Sequence, residues 1–214
     1  MSAEAEPAGA LLRADAARVV AAVARRRQGV EQALEQREAG EGRDRALLRA
    51  MVFGCLRWHH RLRWQATQLL TKPIARRHAE LEALLLLGLY QLQWLRIPDH
   101  AAVSATVDAA ALIGTPWAKS LLNAVLRRFQ RERAGLDTRM RQNSEALFSH
   151  PAWLIERLRQ DWGERYEPIL LANNRAAPMW LRVNVRRIDR DAYLSRLQAA
   201  GIAAAPAPRT RRAL

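Results

Sequence analysis

Little in this chain can cross-link or hold a metal. It has one cysteine, Cys55, and five histidines in 214 residues, which excludes an intramolecular disulfide and leaves no Cys/His spacing of the zinc-binding kind. Cys55 stands on an apolar helical face and reads as a buried, inert thiol rather than a nucleophile. Lysine is almost missing, with Lys72 and Lys119 set against 33 arginines. No apolar run approaches the ~20 residues of a membrane span. The acidic, small-residue start from Met1 to Gly9 lacks the basic–apolar–small order of a secretory signal. These absences read together as a cytoplasmic protein with no membrane partner and no metal.

What remains is apolar and cationic. Half of the residues are hydrophobic, enough to bury a core without staples. The formal net charge is +14, from 35 Lys+Arg against 21 Asp+Glu, which implies an acidic partner. An arginine-biased genome explains Arg in place of Lys but not the excess of positive charge, and the planar guanidinium suits phosphate and stacks on bases. The excess is uneven: residues 43–135 hold 15 basic and 6 acidic side chains, and residues 1–42 hold 6 and 7.

Helical spacing dominates the first two thirds. Ala10 to Gln36 reads as one Ala-rich helix, broken by Gly40-Glu41-Gly42. Asp44 caps an apolar segment that bends near Trp58 to His60 and ends at Lys72-Pro73. Leu81, Leu84, Leu85, Gly88, Leu89, Leu92 and Leu95 make a wide apolar stripe on an amphipathic helix. Pro98 and Asp99 end that helix and start Asp99–Ile113. A helix over Pro116–Arg133 then carries Leu121, Leu122, Val125, Leu126 and Phe129 on one face, with Arg127, Arg128, Arg131 and Arg133 largely off it. The short turns predict an all-α antiparallel bundle.

From Gly135 the texture changes. His150-Pro151 opens a short helix with Trp153, Leu154, Leu158 and Trp162, and a second ends at Asn173-Asn174. Beyond Pro178, Met179 to Val185 alternates with the strand period, and Asp191–Ala200 reads as a helix stopped by Gly201. One or two strands make no stable sheet, so this reads as a short, truncated α+β segment. The expected organisation is a disordered start over 1–9, a helical domain over 10–135, a helical linker over 136–177 and the truncated segment over 178–214.

Several runs together carry a resemblance. They are Asp44-Arg45-Ala46-Leu47-Leu48, Phe53-Gly54-Cys55-Leu56-Arg57, Leu87-Gly88-Leu89-Tyr90-Gln91-Leu92, Arg96-Ile97-Pro98-Asp99-His100-Ala101-Ala102-Val103 and Leu122-Asn123-Ala124-Val125-Leu126-Arg127-Arg128-Phe129. This series resembles the NusB-like N-terminal domain of the RsmB (Sun/Fmu) family, bacterial small-subunit ribosomal RNA methyltransferases that form 5-methylcytosine. His150-Pro151 with Trp153-Leu154, Asn173-Asn174 and Pro178 to Asn184 look like the segment by which that family enters its methyltransferase half. The resemblance spans about Ala10 to Gly201. It implies a NusB-like helical bundle that docks ribosomal RNA for a catalytic domain using S-adenosylmethionine.

This chain departs from the family after that point. The family's Gly-rich and acidic S-adenosylmethionine motifs and its Pro-Cys and Thr-Cys nucleophile and release cysteines are not in this sequence. The reading is an RNA-binding N-terminal portion, with no cofactor, no catalytic residue and no activity expected of the chain alone. Its partners would be ribosomal RNA and a catalytic methyltransferase domain. The alternative is a free-standing NusB-like regulator of transcription antitermination, which predicts a chain ending near Arg133. A fragment left by a frameshift is a third option, kept open by the basic tail from Pro206.

The candidate RNA contacts each have a bland counterpart. Arg57, Arg61 and Arg63 interleave with Trp58, Trp64, His59 and His60, a pattern that can hold phosphate and stack on bases, or that can anchor the tryptophans and solvate the arginines. Arg25, Arg26 and Arg27 match in character the arginine-rich region by which NusB relatives grip RNA, or form a solvated face. Arg127, Arg128 and Arg131 make the denser stripe and read as phosphate contacts or as a seat for the missing domain. Arg182 and Asn184 take an RNA-facing role from the family alone; otherwise they are solvent-facing strand residues. Asn123 and His100 read as structural, with Asn123 pinning the Arg96–Ala101 turn.

Overall fold

The helix over Ala79–Trp94 is buried on every face, from Leu81 and Ala83 to Leu92, and not along a stripe. Its run Leu84-Leu85-Leu86-Leu87 leaves no polar side to turn outward, so neighbours surround it. The structure, a computed structural model, describes residues 8–25, 28–37, 42–177 and 179–207. It contains eleven α-helices among these residues: α1 Ala8–Ala24, α2 Val30–Glu35, α3 Arg43–Arg57, α4 His59–Leu69, α5 Ala79–Trp94, α6 Asp99–Leu112, α7 Lys119–Met140, α8 Ser144–Phe148, α9 Ala152–Trp162, α10 Tyr166–Asn173 and α11 Arg190–Ala199. The all-α expectation holds.

Helix α5 is the axle around which α1, α3, α4, α6 and α7 pack. Two glycines set how closely they approach. A Cβ on Gly54 would stand 2.0 Å from the Tyr90 ring, and one on Gly88 would stand 2.8 Å from Leu126. The α3–α5 and α5–α7 crossings therefore depend on bare backbone at these points. Cys55, Leu62, Leu84, Leu122 and Leu126 fill the same core, each with no exposed surface.

Several element bounds differ from the sequence reading. The first helix stops at Ala24 and resumes at Val30, with Gly29 extended between them. The bend near Trp58 is a full break that leaves Trp58 stacked on Trp94 at 4.8 Å. Helix α7 runs through Gly135 to Met140 because Leu136 and Met140 continue its buried face. Helix α6 starts at Asp99 itself, with Pro98 in the capping position. Gly40-Glu41, the expected breaker, lies outside the described residues.

Chain contacts divide the molecule into one unit up to Asn174 and a second from Arg175. Within the first, α8, α9 and α10 form a satellite core of Phe148, Ile155 and Leu170. Its joint to the bundle is Ser149, whose left-handed backbone lets Oγ donate to the Arg57 carbonyl at 3.2 Å and face the Arg61 N–H at 3.4 Å. His150 Nδ1 and Asn174 Nδ2 both lie 2.6 Å from the Phe148 carbonyl, which gives both residues a structural role.

In the second unit Val183 and Leu197 are buried against Leu181, Ile188 and Tyr193. Asp189 caps α11 through the Asp191 and Ala192 N–H groups. Among the described residues the strand expected over 179–185 is reduced to a single bridge residue, Arg182, and 185–187 turn. The alternation holds over 180–184, with Leu181 and Val183 inward and Trp180, Arg182 and Asn184 outward, and fails at exposed Met179 and Val185; no ladder lies alongside among the described residues.

Candidate nucleic-acid interface

The cations of the helical unit fall into two groups. In the first, the guanidinium is held by the fold. Arg61 lies over the rings of Trp58 and Trp94, 5.6 and 5.4 Å from their centroids, and its Nη2 reaches Asp137 at 3.3 Å. Only 19% of its side chain is exposed, and burial lowers its pKa. Arg128 donates Nη1 to the Leu69 carbonyl at 2.9 Å and Nε to Glu132 at 2.8 Å, and the Glu132 contact raises its pKa. Arg133 reaches the Leu92 carbonyl at 3.5 Å, and Arg18 bonds the Leu112 carbonyl.

Those three carbonyls belong to the last turns of α4, α5 and α6. Each such turn ends in backbone oxygens with no partner inside the helix and a partial negative charge, so a cation from a neighbouring helix is a fitting cap. Part of the expected phosphate-binding stripe on α7 thus serves as caps. Arg127 is exposed and bonds Asn123 Oδ1 at 3.0 Å, so Asn123 orients Arg127 rather than pinning the Arg96–Ala101 turn. Gln130 ties α7 to α6 instead, through Asp99 at 2.9 Å. His100, expected to be structural, is exposed. Arg131 is also exposed, with no hydrogen bond among the described residues, and Arg57 is half-buried without an ion pair there.

The second group surrounds residues 70–78, between α4 and α5. Lys72, Arg76 and Arg77 are exposed and none has an ion pair among the described residues. Arg25, at the end of α1, bonds the Arg76 carbonyl. Arg63 on α4 pairs with Glu82 at 3.2 Å while 58% exposed. Arg26 and Arg27 lie outside the described residues. On one side of the segment a groove of about 550 Å³ is bounded by Lys72, Arg77, His78, Trp117 and Leu121, with no carboxylate in its wall. Trp117 is 58% exposed and meets His78 edge to face at 5.3 Å.

Two further hollows adjoin it. One of about 360 Å³ shares Arg77 and His78 with the groove and adds Arg18, Arg25 and Arg37 against a single carboxylate, Glu80. The other, of about 570 Å³, shares Leu70 and Ile74 with the groove and adds Arg25, Arg63 and Arg76. The result is a concave cationic surface carrying one exposed indole. The sequence reading missed Arg76, Arg77, His78 and Trp117. The Arg-Arg-His run was a usable signal; the approach of Trp117, some forty residues away, was not.

Arg182 and Asn184 are exposed in the second unit, where Asn184 Oδ1 accepts from the Arg186 N–H at 3.2 Å. Cys55 is fully buried and its pKa is raised by burial, so its thiol stays protonated. Among the described residues no group of three His, Cys, Asp or Glu could hold a metal, and no helix is long and apolar enough to cross a membrane.

Comparison with known proteins adds two family matches. Residues 11–131 match the NusB family, and residues 150–214 match the ferredoxin-like domain of RsmF/B-like methyltransferases. The chain is 47% identical over 190 residues to the ribosomal RNA small subunit methyltransferase B of Pseudomonas putida, covering 88% of this chain and 44% of that protein. The proteins of that name from Pseudomonas syringae and Xylella fastidiosa are 44% and 48% identical, with 88% and 77% of this chain covered and 42% and 37% of theirs. The chain therefore spans less than half the length of the curated relatives it matches.

Proposed function

We propose, on the premise that this chain belongs to the NusB family and continues into an RsmF/B-type ferredoxin-like segment, that it is the RNA-docking N-terminal portion of a cytoplasmic ribosomal RNA methyltransferase. Its ligand is the small-subunit ribosomal RNA named for its relatives. The activity served is transfer of a methyl group from S-adenosylmethionine to a cytosine by the catalytic domain of such an enzyme.

The observation that carries the reading is the carboxylate-free groove in which Lys72 and Arg77 flank Trp117. Cations at such a site neutralise backbone phosphates and release counterions, while an exposed indole offers a face for an unpaired base. Arg25, Arg63 and Arg76 extend the positive surface beyond the groove, and Arg127 and Arg131 are exposed on α7. Arg57, Arg128, Arg182 and Asn184 have weaker support, and Arg61 serves the fold. Continuation of this chain through 150–214 in RsmF/B fashion favours this reading over a free-standing antitermination regulator.

The test is binding of the full chain to an unstructured oligoribonucleotide and to a duplex of the same composition across a salt series. Binding that falls steeply with salt, and that weakens about tenfold in Trp117→Ala on the single strand only, is the expected result. A well-folded protein that binds neither RNA at low salt would overturn the reading.

A further inference from the structure

The hollow of about 360 Å³ that adjoins the groove is walled by charge. Arg18 comes from α1, Arg25 from its end, Arg37 from just after α2 and Arg77 from the turn before α5. Four guanidinium groups from three parts of the bundle thus meet at one concavity. The acid in its wall is Glu80, which has no ion pair among the described residues. Asp15 bonds Arg18 at 3.0 Å and lies 4.0 Å from Arg37. Even with Asp15 counted beside Glu80, four positive charges meet two negative ones, an excess of two.

The arginines are also held in position by groups that do not neutralise them. Arg18 bonds the Leu112 carbonyl, Arg25 bonds the Arg76 carbonyl, and Arg77 donates its Nε–H to His78 Nε2 at 3.1 Å. The two terminal amino groups of Arg77 make no hydrogen bond among the described residues. Like charges gathered in a concavity add their potentials, which favours an anion of more than one charge. Guanidinium forks match phosphate oxygens in pairs, and ordering them beforehand lowers the cost of binding. The volume stands at the small end of the ~300–1,000 Å³ range of ligand sites, so a compact, highly charged ligand suits it.

We propose that this hollow is a discrete site for a pair of linked phosphate groups, held among Arg18, Arg25, Arg37 and Arg77 and recognised without regard to a base. The pair is either the diphosphate of a free ligand or two successive phosphates of a bound RNA strand; only the second source rests on the RNA-docking reading. Arg77 is shared with the groove beside Trp117, whereas Arg37 and Glu80 belong to the hollow and not to the groove, so the two sites can fail independently.

The experiment is isothermal titration of the full chain with pyrophosphate and with orthophosphate, at constant ionic strength and without divalent cations. Pyrophosphate is also tested as a competitor of the unstructured oligoribonucleotide. Arg37→Gln removes a cation from the hollow, and Glu80→Gln removes its carboxylate. Arg63→Gln makes the same change in net charge as Arg37→Gln from outside the hollow. Helical circular dichroism checks all three folds.

The expected result is that pyrophosphate binds about tenfold more tightly than orthophosphate, weakens about tenfold in Arg37→Gln and stays within about twofold in Arg63→Gln. In Glu80→Gln it should tighten about threefold, a gain that misfolding does not produce. Competition with the oligoribonucleotide assigns the site to strand phosphates, and binding without competition assigns it to a free diphosphate. Oligoribonucleotide affinity that falls in Arg37→Gln and rises in Glu80→Gln, even with no pyrophosphate bound, also supports the strand case. Equal losses of pyrophosphate affinity in Arg37→Gln and Arg63→Gln would reduce the hollow to part of a diffuse positive field and overturn the proposal. If no pyrophosphate binds and the Arg37 and Glu80 variants bind the oligoribonucleotide as the parent does, the proposal fails while the docking reading survives. Pyrophosphate binding by a chain that binds no oligoribonucleotide would instead assign the hollow to a free diphosphate and overturn the docking reading.

Discussion

Two sets of arginines face different fates in this molecule. Along α7 and at Arg18, guanidinium groups sit on the terminal carbonyls of α4, α5 and α6, and Arg61 is clasped by two indoles and a carboxylate. Around residues 70–78, Lys72, Arg76 and Arg77 project from a short connector and make no ion pair among the described residues. The first set answers to negative charge that the fold itself creates at helix ends. The second has no such internal partner, and unrelieved like charge on a concave surface is where an external polyanion gains most. A count of cations along a helix does not separate these two roles; what each cation faces does.

The largest test of that contrast is removal of the second set. Lys72, Arg76 and Arg77 together changed to Ala should weaken oligoribonucleotide binding by about 100-fold at low salt and flatten the log K against log salt slope by about 2, with an unchanged urea midpoint. Equal loss of RNA binding from Arg128→Met would break the distinction.

A second effect comes from His59, beside Arg63, whose pKa is pushed down to about 4 by burial first and by the Arg63 and His60 charges next. The unfolded chain takes up this proton near pH 6.5 and the folded chain does not. Its contribution to stability is therefore full above pH 6.5 and is lost as pH falls toward 4, at most about 3 kcal/mol. Urea unfolding at pH 7 and pH 4.5 should show this loss, and His59→Phe should abolish its share. A pH response identical in both proteins would show that the imidazole is not kept neutral.

Within the first set, Arg61→Met should lower stability by about 2 kcal/mol, from two cation–ring contacts and one ion pair, and leave RNA affinity within about twofold. Chemical denaturation and anisotropy on the same samples check both halves. The smallest change is expected for Arg128→Met: a lower thermal midpoint from an uncapped α4, with no change in the salt slope. A flattened slope in that variant would put Arg128 among the RNA contacts after all.

Much of the bundle was legible because its signals are local. The break between α5 and α6 follows from Pro98, and Gly201, whose φ is +74°, follows the Ala200 cap of α11. Gly54 and Gly88 stood inside the family-like runs, but why they are glycine appears only in the 2.0 Å and 2.8 Å approaches of Tyr90 and Leu126. Arg13, on the first helix, is only 5% exposed and donates to the Gly9 carbonyl at 2.8 Å, although its charge reads as surface. The strand expected over 179–185 shows the converse: its period holds only over 180–184, and a sheet needs a hydrogen-bonding partner that this pattern does not announce.

Periodicity, turn residues and charge excess determined by themselves that this chain is a helical bundle with an excess of positive charge, because each rests on backbone preference or composition within one or two turns of helix. Tertiary structure alone decided which arginines are caps and which are free, that Trp117 meets His78, and that Arg25, Arg63 and Arg76 surround one hollow. Those outcomes depend on which helix end lies beside which side chain across tens of residues of sequence, and that proximity is fixed by packing around α5, not by any local pattern.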